Sequence, residues 1–299
     1  MSDSKRLTAA DFPREVLTLF DQYVHGGIDR RGFIDGTARL VGGAAAATSM
    51  LAALSPDFAH AQKVAPDDGR IATRWAEIPS PAGYGTIRAY VAEPRGSAAK
   101  KRPIVLVVHE NRGLNPHIQD IARRLATDGF LAVAPDALTP LGGYPGDEDK
   151  ARTLFGQLDQ AKTREDMVAA ALWAQAQKEG NGKLGAVGFC YGGGVVNMLA
   201  TRMPTLRAGV PFYGAAAPLD QVDKIKAELL LHFAGNDARF NAAWPDYEKA
   251  LKAAHIRYHA YTYPDTEHGF NNDTTPRYDA QAAALAWGRT VALFRKALG

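Results

Sequence analysis

The chain contains a single cysteine, Cys190, and its neighbours in the sequence are typical of a catalytic nucleophile. It lies in residues 188–193 (GFCYGG), at the end of an apolar run and directly before a helical pattern. This G-x-nucleophile-x-G pattern forms a strained turn, in which β-carbons on the flanking glycines would come too close to their neighbours. The helix N-terminus that follows favours a thiolate. A buried structural cysteine is the alternative, but the order of strand, turn and helix favours the nucleophile.

A cysteine nucleophile needs a base, and the base needs an acid that orients it. Asp237 follows the apolar run of residues 229–233, and His268 follows the last such run, residues 258–263. Nucleophile, acid and histidine therefore occur in the chain order expected of this type of triad. Of the other acids, Asp246 lies on a predicted helix, and two more lie too close to His268 in sequence, namely Asp265 and Asp273. Five rival histidines do not follow the last run: His109, His117, His232, which we expect in the core, His255 and His259.

Strand-like and helix-like segments alternate from residue 71 onward. Residues 71–78 and 86–92 predict an opening hairpin. Apolar runs that predict buried strands cover residues 103–109, 130–134, 183–189, 208–212, 229–233 and 258–263. Helical periodicity covers residues 118–127, 147–158, 164–177, 193–202, 244–254 and 276–298. The alternation predicts an α/β fold with a mostly parallel central sheet of about eight strands and helices on both faces, with sites at the carboxyl ends of the strands.

Residues 1–65 differ in composition from the rest, and we interpret them as an N-terminal extension to a catalytic domain at residues 66–299. A twin-arginine pattern, Arg30-Arg31, precedes an uncharged Ala/Gly-rich run at residues 40–54 and a small-x-small cleavage signal at residues 59–61. We favour a twin-arginine export leader, and hence a periplasmic or exported protein. The alternative is a helical arm retained in the cytoplasm, because Thr8 and Asp11 resemble a capping box and apolar residues follow at helical spacing.

Composition argues against several other functions. The net charge of +3 is spread along the chain, without a basic run or a basic and aromatic alternation, so a nucleic-acid partner is not expected. The uncharged N-terminal run is too short for a membrane span, so no stable membrane anchor is expected. One cysteine excludes an intramolecular disulfide, and no cysteine and histidine spacing typical of zinc is present. We expect neither a metal nor an organic cofactor.

Four segments together resemble the dienelactone hydrolase (carboxymethylenebutenolidase) family of the α/β-hydrolase superfamily. They are the elbow at residues 188–193, the loop with Asp237, the triplet at residues 268–270 and the strand end at residues 109–113, and the resemblance runs from about residue 71 to the C-terminus. It implies an α/β-hydrolase fold and hydrolysis of carboxylic esters or lactones. It also implies that Glu110 contacts the resting thiol and helps to activate it. A carboxylate paired with Arg112 or Arg123 is the alternative.

The expected reaction is a two-step acyl transfer through an acyl-thioester. Cys190 attacks the carbonyl, His268 moves the protons, and Asp237 fixes the imidazole tautomer. The geometry of such an elbow assigns the oxyanion hole to the backbone N–H groups of Asn111 and Tyr191. A non-catalytic scaffold and a hydrolase of small amides are the alternative functions.

The expected partner is a small-molecule ester or lactone. The resemblance implies two arginines that bind a substrate carboxylate, but the first position falls at about Asn272 and the second near Ala151. Because an amide cannot replace an arginine fork, we expect a broader or different ester. Five side chains are predicted to line the pocket, each with packing as the alternative: Arg112, Tyr144, Arg152, Tyr213 and Trp244. The N-terminal extension is also a candidate surface for a homo-oligomer.

Overall fold

An eight-stranded sheet forms the centre of the protein, which a computed structural model describes for residues 6–96 and 101–299. The strands are β1 (Ile71–Ser80), β2 (Gly85–Pro94), β3 (Arg102–Val108), β4 (Leu131–Asp136), β5 (Gly180–Phe189), β6 (Leu206–Phe212), β7 (Glu228–Asn236) and β8 (Tyr258–Glu267). Their order is β1-β2-β4-β3-β5-β6-β7-β8. The pairings β1–β2 and β2–β4 are antiparallel and the others are parallel, which confirms the predicted mostly parallel α/β sheet and its opening hairpin.

Helices cover both faces of this sheet, as predicted. They are α4 (Pro116–Thr127), α5 (Glu148–Gly156), α6 (Gln160–Gln175), α7 (Tyr191–Arg202), α8 (Ala238–Asn241), α9 (Trp244–Ala253) and α10 (Ala280–Leu298). Side chains alternate across β3, so that Leu106 belongs to the core cluster shared with α6, α7 and α9, whereas Val105 and Val107 belong to the cluster shared with α4 and α10. These two apolar layers hold the carboxyl ends of β3, β5, β7 and β8 at one edge of the sheet.

Three further helices lie at the N-terminus: α1 (Arg14–Val24), α2 (Arg30–Val41) and α3 (Ala44–Leu54). They share a small apolar cluster of their own, in which Phe20, Tyr23 and Phe33 contact one another at ring-centroid distances of 5.7–6.2 Å. Within the described residues no single helix is long and apolar enough to cross a membrane, and α2 and α3 reach that length only together, across a bend of 114°. We call α1–α3 the cap, because of its position over the site described below.

Local side-chain bonds account for several boundaries that the periodicity misplaced. The predicted helix at residues 276–298 begins only at Ala280, because the Asp279 carboxylate accepts a hydrogen bond of 2.8 Å from the backbone N–H of Ala282. Conversely, α6 begins four residues earlier than predicted, because Asp159 caps it in the same way. At the N-terminus, the backbone N–H of Thr8 donates to Asp11 at 2.7 Å, as the capping pattern predicted.

Candidate active site

Cys190 lies at the tight turn between β5 and α7, with φ 53° and ψ −111°, a conformation that is strained for a residue with a side chain. The backbone around it has no room for β-carbons. A β-carbon on Gly188 would lie 2.1 Å from the carbonyl oxygen of Gly192, and one on Gly192 would lie 2.2 Å from that of Val108. The predicted steric reason for these glycines is therefore confirmed. Cys190 itself is only 5% exposed.

Asp237 and His268 meet beside this turn, although 31 residues separate them. Asp237 follows β7 and His268 follows β8, so parallel neighbouring strands deliver both side chains to the same edge of the sheet. The Nδ1 atom of His268 donates to the Asp237 Oδ2 atom at 2.6 Å. The opposite ring atom, Nε2, lies within 4.8 Å of the Cys190 sulfur.

The surroundings of His268 favour its protonated form. Burial would lower the pKa of His268, but the negative charge on Cys190 and the hydrogen bond to Asp237 outweigh it, so that the pKa lies above its ordinary value. Two aromatic rings fix the plane of the imidazole. The Phe240 ring is stacked on it at 5.3 Å, and the Tyr213 ring packs at 4.8 Å on another side.

A second histidine, His25, completes this cluster, and the sequence analysis did not single it out. It follows the last residue of α1, and its Nε2 atom lies 3.4 Å from the Cys190 sulfur and 3.2 Å from the Nε2 atom of His268. Its Nδ1 atom lies 2.8 Å from the Asp21 carbonyl oxygen and 3.1 Å from the Asp21 carboxylate. The only signal in the sequence is the Asp21–His25 spacing of four residues, which falls in the segment that we interpreted as a leader.

Asp21 is held in its charged form although it is largely buried. Burial would raise its pKa, but the hydrogen bond from His25 and the positive charges of His25, His268 and Arg277 keep the pKa of this carboxyl well below its usual range. A carboxylate therefore stands behind each of the two imidazoles, Asp21 behind His25 and Asp237 behind His268.

The cap is bound to the catalytic domain by bonds to the predicted site residues themselves. The Val24 carbonyl oxygen accepts from Asn111 Nδ2 at 2.9 Å and from Arg112 Nη2 at 3.0 Å. The Tyr23 carbonyl oxygen accepts from Arg152 Nη1 at 2.5 Å, and the Arg152 guanidinium lies 4.1 Å from the centre of the Tyr23 ring. The end of α1 is thereby fixed over the turn that carries Cys190.

Glu110 lies at the edge of the same site. Its Oε2 atom accepts a hydrogen bond of 3.0 Å from Asn272 Nδ2, which is the amide at the position where the family resemblance implies an arginine. Glu110 and Cys190 line a common cavity. The alternative ion pairs form elsewhere within the described chain: Arg112 lies 3.8 Å from Glu148, and Arg123 lies 3.4 Å from Asp120.

Two cavities reach Cys190 in the described part of the chain, and His25 and Asn111 line both of them. The first, of about 350 Å³, is mostly polar and includes Arg112 and Tyr144, as predicted. The second, of about 680 Å³, is lined by apolar side chains, which include Phe155, Val195, Met198 and Phe240. Three exposed arginines also line it, namely Arg164, Arg202 and Arg239. The His25 side chain therefore borders both spaces.

Three of the predicted pocket residues line neither of these cavities. Tyr213 is buried beneath His268, and Arg152 is occupied by Tyr23 of the cap. Trp244 packs against Phe233 at a ring-centroid distance of 5.0 Å and lines a small separate space. Their place in the structure corresponds to the packing alternative, because the aromatic rings fill space between helix and sheet.

Arg277 also lines the first cavity, and the sequence analysis did not predict it. Arg277 lies after the His268 loop, its guanidinium is 5.1 Å from the centre of the Phe20 ring, and its Nη1 atom is 3.8 Å from Asp21. Its Nε and Nη1 atoms are buried and have no hydrogen-bond partner among the described residues. Arg277 is therefore a cation whose donors are available inside the cavity.

The parallel sheet, the elbow after β5 and the acid and histidine after later strands define an α/β hydrolase. The family model named "Dienelactone hydrolase family" matches residues 87–298, which is more than half of the chain, so the protein belongs to the dienelactone hydrolase family of hydrolases. A second model, "YqhI-like", matches residues 4–43, which include α1 and α2.

Individual relatives agree with this family. A "putative carboxymethylenebutenolidase" of Salmonella typhi is 33% identical over 81% of this chain and 92% of its own. The "putative hydrolase fragment YghX" of Escherichia coli K12 is 48% identical, over 36% of this chain and 90% of its own. Among solved structures, a "putative dienelactone hydrolase" from Klebsiella pneumoniae is 29% identical with a TM-score of 0.66, over 75% of this chain and 99% of that one.

Proposed function

We propose that the protein hydrolyses carboxylic esters or lactones, with Cys190 as the nucleophile, His268 as the base and Asp237 as the orienting acid. The observation that carries this proposal is the 2.6 Å bond between Asp237 and His268 Nδ1, which leaves His268 Nε2 facing the elbow cysteine. Because the acid holds the proton on Nδ1, Nε2 is the atom that exchanges protons at the sulfur. A non-catalytic scaffold would have no need of this alignment.

The proposed reaction has two steps. The Cys190 thiolate attacks the carbonyl carbon, the bond to the alcohol oxygen breaks, and the His268 imidazolium gives its Nε2 proton to the leaving alkoxide. Water then attacks the acyl-thioester, gives one proton back to His268, and releases the acid. The backbone N–H groups of Tyr191 and Asn111 are proposed to stabilise the oxyanion, and Tyr191 supplies one of the free N–H groups at the start of α7.

The two cavities support an ester whose acyl and alcohol parts lie on opposite sides of Cys190. The first cavity offers Arg277, with free donors, and Arg112, so we propose that an anionic part of the substrate binds there. Burial lowers the pKa of Arg112, but Glu148 opposes this, and the guanidinium stays paired with the carboxylate at 3.8 Å. The larger second cavity suits the apolar part.

A panel of chromogenic esters and lactones, assayed with wild type and Cys190→Ala, tests the proposal. We expect turnover by wild type, a loss of at least about 10³-fold in Cys190→Ala, and an unchanged melting temperature. Intact mass after mixing with an activated ester should show an acyl adduct in wild type alone. The exposed His259→Ala serves as the control substitution. Turnover retained by Cys190→Ala would remove this cysteine from the mechanism.

A further inference from the structure

The three side chains at the junction of cap and catalytic domain have a geometry that the proposed hydrolysis does not require. His25 Nε2 lies 3.2 Å from His268 Nε2 and 3.4 Å from the Cys190 sulfur, and all three atoms lie within 4.8 Å of one another. Hydrolysis needs one imidazole at the thiol, and His268 already provides it. The presence of His25 therefore calls for a separate explanation.

The hydrogen bonds of the two imidazoles direct both Nε2 atoms towards the sulfur. His268 Nδ1 faces the Asp237 carboxylate, and His25 Nδ1 faces the carbonyl and carboxylate oxygens of Asp21. Those oxygens only accept, so they hold a proton on each Nδ1 and leave each Nε2 as the ring atom on the side of the sulfur. Two imidazole nitrogens and a sulfur thus converge on one space, and a cation between them can bind all three.

Two of the three distances match those expected around zinc, and the third, from His268 to the sulfur, is within 4.8 Å. With Zn–N bonds of about 2.0–2.1 Å and a Zn–S bond of about 2.3 Å, tetrahedral angles place two nitrogens about 3.3 Å apart and a nitrogen and a sulfur about 3.5 Å apart. The contacts of 3.2 Å and 3.4 Å made by His25 are close to both values. Asp21 and Asp237 behind the imidazoles correspond to the carboxylates that commonly orient histidine ligands of zinc.

We propose that His25, Cys190 and His268 bind one zinc ion, and that the bound ion closes the cap over an inactive site. Binding forms one Zn–S and two Zn–N bonds, and the proton that Cys190 and His268 share goes to solvent. The fourth position faces the two cavities, which both border His25 and Cys190 and give the ion a path of entry. Because the nucleophile and the base are both ligands, occupied protein cannot attack an ester.

The ligands also come from both parts of the molecule. His25 is 165 residues from Cys190 and 243 residues from His268, so the ion would join the cap to two loops of the catalytic domain. Removal of the ion would leave the cap held by weaker contacts, such as those of Val24 with Asn111 and Arg112. Zinc is thus a ligand that selects the capped state.

Metal binding by the full chain is the test, and it needs no turnover. Chelator-treated protein is titrated with zinc by calorimetry, and with Co(II) by absorbance, where a thiolate ligand gives a sulfur-to-metal charge-transfer band. We expect one equivalent of zinc bound to wild type and loss of the cobalt band in Cys190→Ala. His25→Ala should weaken binding by at least about 100-fold, and Asp21→Asn by about 10- to 100-fold. His259→Ala, which changes an exposed histidine, is the matched control.

Two further measurements separate the possible causes of failure. Limited proteolysis of metal-free His25→Ala shows whether the cap still docks. If the cap of that variant does not dock, the titration is repeated with His25→Gln, which retains a polar side chain of similar reach. Equal zinc affinity in wild type and both His25 variants would overturn the proposal, as would the absence of stoichiometric binding to wild type. The inhibition, unlike the binding, rests on the proposed function. Ester turnover by metal-free wild type, after the chelator has been removed, should fall with one equivalent of zinc, and inhibition of His25→Ala should need far more zinc.

Discussion

The side-chain amide of Asn111 donates a 2.9 Å hydrogen bond to the carbonyl oxygen of Val24, which joins the loop after β3 to the last residue of α1. Asn111 is also a proposed oxyanion donor through its backbone. The cap is therefore attached to a loop on which the proposed reaction depends. The position of the cap and the conformation of that loop are coupled.

This attachment bears on the fate of the N-terminal segment. We expect the cap to remain on the mature protein. Tyr23 and Val24 of the cap bond to the catalytic domain, and Asp57, which follows the cap, donates from its backbone N–H to the Thr274 carbonyl oxygen at 2.8 Å. Intact mass of the protein from its own host is the measurement. A species that begins near Gln62 would instead favour the export leader.

Substitution of Gly192 by alanine should prevent correct folding of the elbow. The added β-carbon would lie 2.2 Å from the Val108 carbonyl oxygen and 2.7 Å from that of His109, and backbone cannot move aside. We expect a loss of more than about 3 kcal/mol in unfolding free energy, measured by urea denaturation. Gly194→Ala is the control, because its β-carbon meets nothing nearer than 3.4 Å. Equal stability of the two variants would contradict the steric account.

Asp237→Asn should reduce turnover without unfolding the protein. The amide can present its N–H to Nδ1 of His268, which would stabilise the wrong tautomer. We expect kcat to fall by about 10³- to 10⁴-fold on the best ester of the panel, with little change in melting temperature. Asp246→Asn, an exposed change on α9, should leave kcat as it is. A loss below tenfold in Asp237→Asn would mean that another group orients the imidazole.

Arg277→Gln should separate anionic from neutral substrates. Its buried donors are free in the first cavity, and a hydrogen bond to a charged group is typically worth about 1.5–3 kcal/mol. We expect KM for an ester that carries a carboxylate to rise about 10- to 100-fold, whereas KM for its neutral methyl analogue should hardly change. Steady-state kinetics on this matched pair is the measurement, and an equal effect on both substrates would argue for a packing role.

His232 should make the folded state sensitive to acid. Burial, with a smaller contribution from Arg289, lowers its pKa from 6.5 to about 3, and the neutral ring contacts Tyr263 and Thr290. Below about pH 6.5 the unfolded chain binds a proton at His232, whereas the native state does not. The stability that the neutral, buried ring contributes is therefore complete above that pH and is lost as the pH falls towards 3. Below about pH 6 the unfolding free energy of wild type should fall by up to about 1.4 kcal/mol per pH unit more steeply than that of His232→Gln, and by about half as much between pH 7 and 6. Urea denaturation at pH 7, 6 and 5 measures this, and parallel slopes would contradict it.

Much of the candidate site could be predicted because its signals are local. The elbow is a run of six residues whose glycines are required by backbone contacts within 2–3 Å, and Asp237 and His268 each follow a strand. Parallel strands place their carboxyl ends at one edge, so the order of these residues along the chain is enough to bring them together. Apolar runs and helical spacing likewise predicted each strand of the sheet domain and every α-helix except the short α8, although caps such as Asp279 moved the ends.

The contacts of the cap could be found only from the tertiary structure. His25 and Arg277 reach the site from segments whose helical spacing does not show where they dock, and His25 lies 165 residues from Cys190. Tyr213 and Trp244 occupy positions beside the site in sequence, yet they pack away from the cavities. Spacing determines which residues share a strand end or a helix face, whereas the side chain that fills the space above a strand end depends on how distant helices dock. The sequence by itself therefore determined the fold and the elbow with its acid and histidine, and the docking of the three N-terminal helices decided what surrounds the sulfur.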